Sequence, residues 1–408
     1  MEHLLYLVHR IPYPPNKGDK IRSYHLLRYL ASRYQVHLGT FVDDADDWRH
    51  VDAVKALCGE THFARLDPRA ARIRSAKGLL AGRALTLDYY RDRGLSQWVE
   101  RLHRKLPVSR VLVFSSAMAQ YVRPERYARR IIDFVDVDSD KWSQYAGQKS
   151  WPMNWVYARE GRQLLRYERQ LAREFDASLF VSQQEAALFS RLAPESAPRI
   201  GWFSNGVDSG YFSPHHDFDN PYPQGGPVLV FTGAMDYWPN ADAVQWFARD
   251  VFPGILARHA DARFYIVGAR PAAEVQALAA LPNVTVTGSV PDVRPYIAHA
   301  DLAVAPLRIA RGIQNKVLEA MAMAKTVLVS PQALEGVAAM PGRDLLLAQD
   351  APDFIERACA ALEQPDSDIG RAARARVETS YNWDINMGRV DALLDIPQRQ
   401  PMMASTCS

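Results

Sequence analysis

Short apolar runs rich in Val, Leu, Ile and Phe alternate with helical patterns from one end of the chain almost to the other. This alternation limits the fold more than any other property. Strands separated by helix-length connections pair in parallel, and a parallel sheet needs helices on both faces. In the first half, strands are expected at residues 4–9, 36–40, 110–114, 130–134, 177–181 and 199–203, with helices between them, for example over 20–33 and 157–175. A stretch dense in proline and glycine, 205–227, interrupts the rhythm. The pattern then restarts, with strands at 228–232, 262–267, 284–287, 302–305 and 326–330. Helices are expected at 241–258, 272–281, 293–298, 315–322 and 351–362, and a last helical pattern covers 369–394.

A chain of 408 residues exceeds one ordinary core. The expected architecture is therefore α/β, with two Rossmann-like doubly wound domains facing a central cleft. Residues 1–205 form the first domain, 206–227 a linker and 228–368 the second. Helices over 369–396 cross back to the first domain, and 397–408 form a disordered tail. Ligands of such sheets bind beyond the carboxyl ends of the strands.

The segment 301–330, DLAVAPLRIARGIQNKVLEAMAMAKTVLVS, is a strand, a loop with Arg311 and Gly312, a helix and a second strand. Lys316 and Glu319 stand three residues apart on one face near that helix start. Free backbone N–H groups and the positive dipole end suit an anion there. The lysine can neutralise phosphate, and a carboxylate one turn on can accept from a sugar diol. The arrangement suggests a nucleotide-sugar pocket.

Near the N-terminus, HRIPYPPNKGDKIRSYHLLRYLA sets Gly18 between a strand and a helix, with Lys17, Lys20 and Arg22 adding positive charge. Neither a G-x-G-x-x-G signature nor a phosphate-binding G-x-x-x-x-G-K-[ST] loop is present. His25, on the same helix, fits either a site residue or a hydrogen-bonded structural histidine. In the second half, Gly233 ends a buried strand, and Asp236 and Asn240 are placed to face the cleft. Trp238 and Trp246 are assigned to packing. Gly268 and Arg270 hold the equivalent strand end, and Gly288 and Val290 suit backbone contacts with a nucleobase edge.

Composition narrows the class. With 48% hydrophobic and 23% charged residues the chain is ordinary for a soluble globular protein. No apolar run is long enough to span a bilayer, and the start MEHLLYLVHRIPYPP does not read as a signal peptide. Cys58, Cys359 and Cys407 are scattered, forming neither a disulfide framework nor a metal pattern, which fits a reducing cytoplasm. Residues 1–200 carry 33 Lys+Arg against 23 Asp+Glu, and residues 65–110 alone carry 12 against 4. That segment is either a solvated helical face or a patch for anionic lipid headgroups or an anionic acceptor. No nucleic-acid motif accompanies the charge.

The motifs NGVDSGYFSP (205–214), FTGAMDYWPNADAV (231–244), VTGSVPDVRPYIAHADLAVAPL (286–307) and GIQNKVLEAMAMAKTVLVS (312–330) resemble family 4 glycosyltransferases of the GT-B fold. The opening YPPNKGDKIRSYHLLRYLA and DFVDVDSDKWSQYA (133–146) resemble the sugar transferases associated with exosortase/PEP-CTERM exopolysaccharide systems. The resemblance implies retaining transfer of a sugar from a nucleotide-diphosphate donor to a saccharide or lipid-linked acceptor. It implies no cofactor and no obligatory metal, with the donor in the C-terminal domain and the acceptor on the N-terminal one. Glu319 matches the carboxylate that holds the ribose hydroxyls. The loop from Gly312 through Ile313, Gln314 and Asn315 matches the amides at the donor phosphate and sugar. Lys316 supplies charge to the diphosphate, and Gly18 approaches it from the other domain.

The chain departs from that family at three places. Arg311 stands where a first glutamate is usual, eight positions before Glu319, and Met235, Asp236 and Tyr237 replace a paired Arg and Lys. The family's reaction-centre histidine has no clear match. Asp136, Asp138 and Lys141 occupy its segment, with Asp138 the candidate and a helix cap its alternative role. Two further functions remain open at this stage: a nucleotide-sugar epimerase of the same fold, and a non-catalytic nucleotide-sugar-binding partner of another transferase.

Overall fold

Seven parallel strands build the first sheet: β1 (His3–Val8), β2 (Gln35–Val42), β3 (Thr61–Arg65), β4 (Arg110–Phe114), β5 (Arg129–Val135), β6 (Ala177–Phe180) and β7 (Ile200–Trp202). They lie in the order β3-β2-β1-β4-β5-β6-β7. A second parallel sheet contains β8 (Val228–Thr232), β9 (Arg263–Val267), β10 (Val284–Gly288), β11 (Leu302–Ala305), β12 (Val327–Val329) and β13 (Leu346–Leu347). Its order is β10-β9-β8-β11-β12-β13. In both sheets the direction of winding reverses beside the first strand, between β1 and β4 and between β8 and β11, which creates the crevice where doubly wound sheets bind ligands. This computed structural model describes residues 1–15, 18–79, 82–147, 149–310 and 312–395. Lys17, Arg311, Cys407 and the tail expected at 397–408 lie outside the described residues.

The chain divides into two compact units. One comprises Met1–Phe180, Glu185–Phe203 and the chain from Met387 onward; the other comprises Val181–Gln184 and Ser204–Asn386. The helices used below are α1 (Gly18–Ala31), α2 (Pro68–Gly78), α3 (Arg93–Lys105), α4 (Asp138–Gly147), α5 (Met153–Glu174), α6 (Trp238–Trp246), α7 (Asn315–Ala322), α8 (Ala351–Glu363), α9 (Ser367–Ser380) and α10 (Trp383–Leu394).

Strands β1, β4, β8 and β11 are apolar except at end residues (His3, Arg110, Thr232) and are buried on both faces, as central parallel strands must be. The first unit's core packs Leu5, Leu7, Val111, Val113, Ile132 and Phe180. Arg22 of α1, fully buried, donates to both carboxylate oxygens of Asp133 on β5, at 2.7 and 3.2 Å. It also donates to the carbonyl oxygen of Phe203 at 2.9 Å and lies 3.6 Å above that ring. One guanidinium thus ties α1 to β5 and to the end of β7.

Several boundaries differ from the sequence expectation. The helix expected at 241–258 breaks into α6, a π-helical turn at Phe247–Val251 and a short helix Phe252–Leu256. Pro253 follows the turn; its ring nitrogen cannot supply the next backbone bond of a regular helix. The pattern at 369–394 is two helices, because the Asn382 side chain accepts from the N–H groups of Asp384 and Ile385 and starts α10 afresh. Strands β3 and β13 were not anticipated, being half-buried and two residues long respectively. The Pro- and Gly-rich stretch is fastened to the second unit: Val207 N–H donates to the Tyr381 carbonyl, and Arg263 donates to the carbonyls of Pro223 and Gly226. From Met387 onward, α10 packs in the first unit, where Asp391 accepts from Arg33 at 2.8 Å.

Candidate active site

In the second unit the carboxyl ends of β8, β9 and β10 are glycines: Gly233, Gly268 and Gly288. Gly233 N–H donates to the Val267 carbonyl at 3.0 Å, and Gly268 N–H to the Gly288 carbonyl at 3.2 Å. A methyl group added at Gly268 would come within 1.7 Å of the Gly233 carbonyl oxygen, so two backbones touch there and no side chain fits. At Gly233 a methyl group would meet Asn240 Nδ2 at 2.8 Å and Lys316 Cε at 3.3 Å. The bare strand end therefore lets Asn240 from α6 and Lys316 from α7 converge on it.

Asn240 is buried, and its Nδ2 donates to the Ala234 carbonyl at 2.9 Å. Its Oδ1 is buried without a hydrogen-bond partner among the described residues. Lys316 rises from the first turn of α7, with Nζ 5.4 Å from the centre of the Phe231 ring and 3.5 Å from Gln314 Oε1. Its stem borders Val230, Ala303, Val304 and Ala320, an apolar lining that strips water from the amine. Burial pulls its pKa down to about 8 against the upward pull of Glu319. Burial pushes the Glu319 carboxyl up to about 7 against the downward pull of Lys316. Among the described residues that carboxylate accepts no hydrogen bond and joins no ion pair. The two groups influence each other without closing a salt bridge.

The start of α7 is built for an anion. No side chain caps it, its first turn holds no acidic residue, and Gly312 before it adopts a left-handed φ of 64°. Gly336, also left-handed at 84°, backs onto Gly312; a methyl group there would lie 3.2 Å from the Gly312 carbonyl. Ile313 is buried, Gln314 Nε2 donates to the Gly312 carbonyl at 3.3 Å, and Asn315 Oδ1 accepts from Asn205 Nδ2 at 3.5 Å. Uncapped amides, one lysine and one carboxylate thus surround a half-buried point at two adjoining strand ends. Such a set can hold a phosphate and a diol together.

The structure gathers Gly233, Asn240, Gly268, Gly312, Ile313, Gln314, Asn315, Lys316 and Glu319 in this unit, around the ends of β8, β9 and β11. Asp236 and Arg270 pair with each other at 2.6 Å on the rim, so each charge is already matched. Val290, half-buried, follows the β10 end. Trp238 corrects the packing assignment: it is 41% exposed, whereas Trp246 packs edge-on against Phe354 as expected.

In the first unit, Gly18 opens α1. Of the charges ascribed to that loop, those of Lys20 and Arg22 are neutralised internally. Lys20 is 1% exposed and donates to Asp47 at 2.6 Å, and Arg22 is committed to Asp133. His25 stands edge-on against the Tyr24 ring. Asp138 begins α4, and Lys141 bridges it at 3.3 Å to Asp136 at 2.6 Å; these carboxylates hold the lysine well above its usual range despite burial.

Two features escaped the sequence reading. Ser115 and Val135, at the ends of β4 and β5, adopt left-handed φ values of 77° and 70°, a strained backbone for a β-branched residue. Tyr211 lies in the field of Glu319, its hydroxyl pushed up by burial and by the charges of Asp292 and Glu319, with Arg294 3.7 Å above its ring. Its place in NGVDSGYFSP was the available signal.

Residues 226–364 match the sequence model of the family described as "Glycosyl transferases group 1". Solved structures with the same architecture cover almost all of the chain. A sucrose-phosphate synthase from Thermosynechococcus elongatus superposes with a TM-score of 0.69 at 17% identity, covering 96% of this chain and 98% of its own. A glycosyltransferase from Rickettsia africae gives 0.65 at 13%, covering 98% and 99%. The Anabaena protein HepE in complex with UDP-glucose gives 0.63 at 15%, covering 96% and 99%. The fold is GT-B. No curated protein sequence matches the chain.

Proposed function

We propose that this protein is a retaining glycosyltransferase that moves a sugar from a nucleotide-diphosphate donor to a saccharide or lipid-linked acceptor in exopolysaccharide biosynthesis. One observation carries the reading: Lys316 and Glu319, half-buried and unpaired with each other, at an uncapped helix start inside the family-matched region. The UDP-glucose bound to HepE supports a nucleotide sugar as donor. Glu319 takes the ribose hydroxyls, and the α7 amides with Lys316 take the diphosphate. As the glycosidic bond breaks, negative charge grows on the departing diphosphate, and the Lys316 ammonium and those amides stabilise it. Asp138 is proposed as the reaction-centre residue, and Gly18 as a phosphate contact.

The test follows UDP release from UDP-sugars with and without a panel of saccharide and lipid-linked acceptors, and reads the product anomer by NMR. Acceptor-dependent release with the donor's anomeric configuration kept is the expected result. Sugar isomerisation without acceptor would establish an epimerase instead, and tight donor binding without turnover would establish a binding partner.

A further inference from the structure

Helix α5 is 22 residues long, about 33 Å. Its inner side carries Leu164, Glu168, Leu171 and Ala172. Its N-terminal part is clamped: Arg159 donates to the carbonyls of Gly78 and Arg83 at 3.2 and 3.1 Å, and Glu160 accepts from the N–H groups of Leu85 and Thr86. The helix therefore presents a fixed outer face. At about 100° per residue, Trp155, Arg162, Arg166 and Arg173 fall within about 20° of one line along it. All four are exposed.

The leading end of that face is apolar. Trp155 is 54% exposed, and Trp151, just before the helix starts, is 81% exposed, two uncovered indole rings within five residues. Behind them, Arg162 and Arg166 have no carboxylate partner among the described residues, while Arg173 lies 3.6 Å from Glu195. Interfacial aromatics beside uncompensated arginines are the composition of a helix lying in a headgroup layer, where indole rings sit at the apolar boundary and guanidinium groups meet phosphates. Residues 65–110 offer less than their sequence suggests. Arg74 donates to the carbonyls of Asp88 and Tyr89, Arg83 and Arg91 pair with Asp88, and Lys105 pairs with Glu60.

We propose that the outer face of α5, led by Trp155 with Trp151 just before the helix, is the docking surface of this protein for an anionic lipid bilayer. The inference stands on α5 alone and does not rest on sugar transfer.

The experiment uses the full chain with vesicles of phosphatidylcholine, alone or with one quarter phosphatidylglycerol. The wild type should co-sediment with the anionic vesicles at low salt, with tryptophan emission moved to shorter wavelength, and be released at high salt. W151S/W155S should bind at least ten-fold more weakly without the emission shift, and R162E/R166E should lose at least ten-fold, while both keep the wild-type melting temperature. R69E/R72E on α2 should bind nearly as the wild type. Wild-type protein that ignores anionic vesicles would overturn the proposal. So would α5 variants that bind as the wild type does, or loss confined to the α2 variant.

Discussion

Burial raises the Glu319 carboxyl to about 7 and lowers the Lys316 amine to about 8, so the protein by itself holds two ionised groups poorly here near neutral pH. The sign of each effect follows from the shifts. Because the folded-state value of Glu319 exceeds its ordinary 4.5, its destabilising effect develops as pH rises from about 4.5 and is complete above about 7. Glu319→Gln should therefore stabilise the ligand-free protein by on the order of 1–3 kcal/mol at pH 8 and by less at pH 5.5, in chemical denaturation. The same variant should bind donor at least ten-fold more weakly. Donor affinity in the wild type should peak between pH 7 and 8: below, Glu319 protonates and loses its acceptor; above, Lys316 loses its charge. Titration calorimetry across pH 6–9 measures this, and a flat profile would contradict the assigned roles. Gly268→Ala places a methyl group against the Gly233 carbonyl, and it should cost more than about 2 kcal/mol in urea unfolding.

Among the elements, the Arg22–Asp133 pair makes the sharpest prediction. Removing one partner leaves a buried charge unpaired, so Arg22→Met should cost about 3–5 kcal/mol in urea unfolding. Arg22→Met combined with Asp133→Leu should recover a large part of that loss, since the pair then leaves no stranded charge. This pair also shows where sequence reading stops. Strands buried on both faces, such as β4, β8 and β11, announce themselves as continuous apolar runs and were located to the residue. A two-residue β13 has no periodicity to detect. Lys20 and Arg22 read as positive charge beside Gly18 because their partners, Asp47 and Asp133, lie 27 and 111 residues further along the chain. Local spacing could find Lys316 and Glu319 on one helix face; it could not find Tyr211 or the strained Val135, whose significance comes from tertiary neighbours and backbone angles.

At the scale of the molecule, both sheets repeat one logic: parallel strands wound outward from a central reversal, with glycine or strained backbone at the carboxyl ends of the strands beside it. The alternation of strands and helices made that architecture legible. The residues proposed to hold the donor, Gly233, Asn240, Lys316 and Glu319, all lie in the second unit. The most direct test is a thermal-shift and calorimetric comparison of wild type and Glu319→Ala against UDP, GDP, ADP and their sugars. The wild type should be stabilised by one nucleotide class, by about 2.7 kcal/mol at a hundred-fold excess over its dissociation constant, and Glu319→Ala should lose most of that gain. A wild type that responds to no nucleotide, or a Glu319→Ala protein that binds the same nucleotide equally well, would contradict the account.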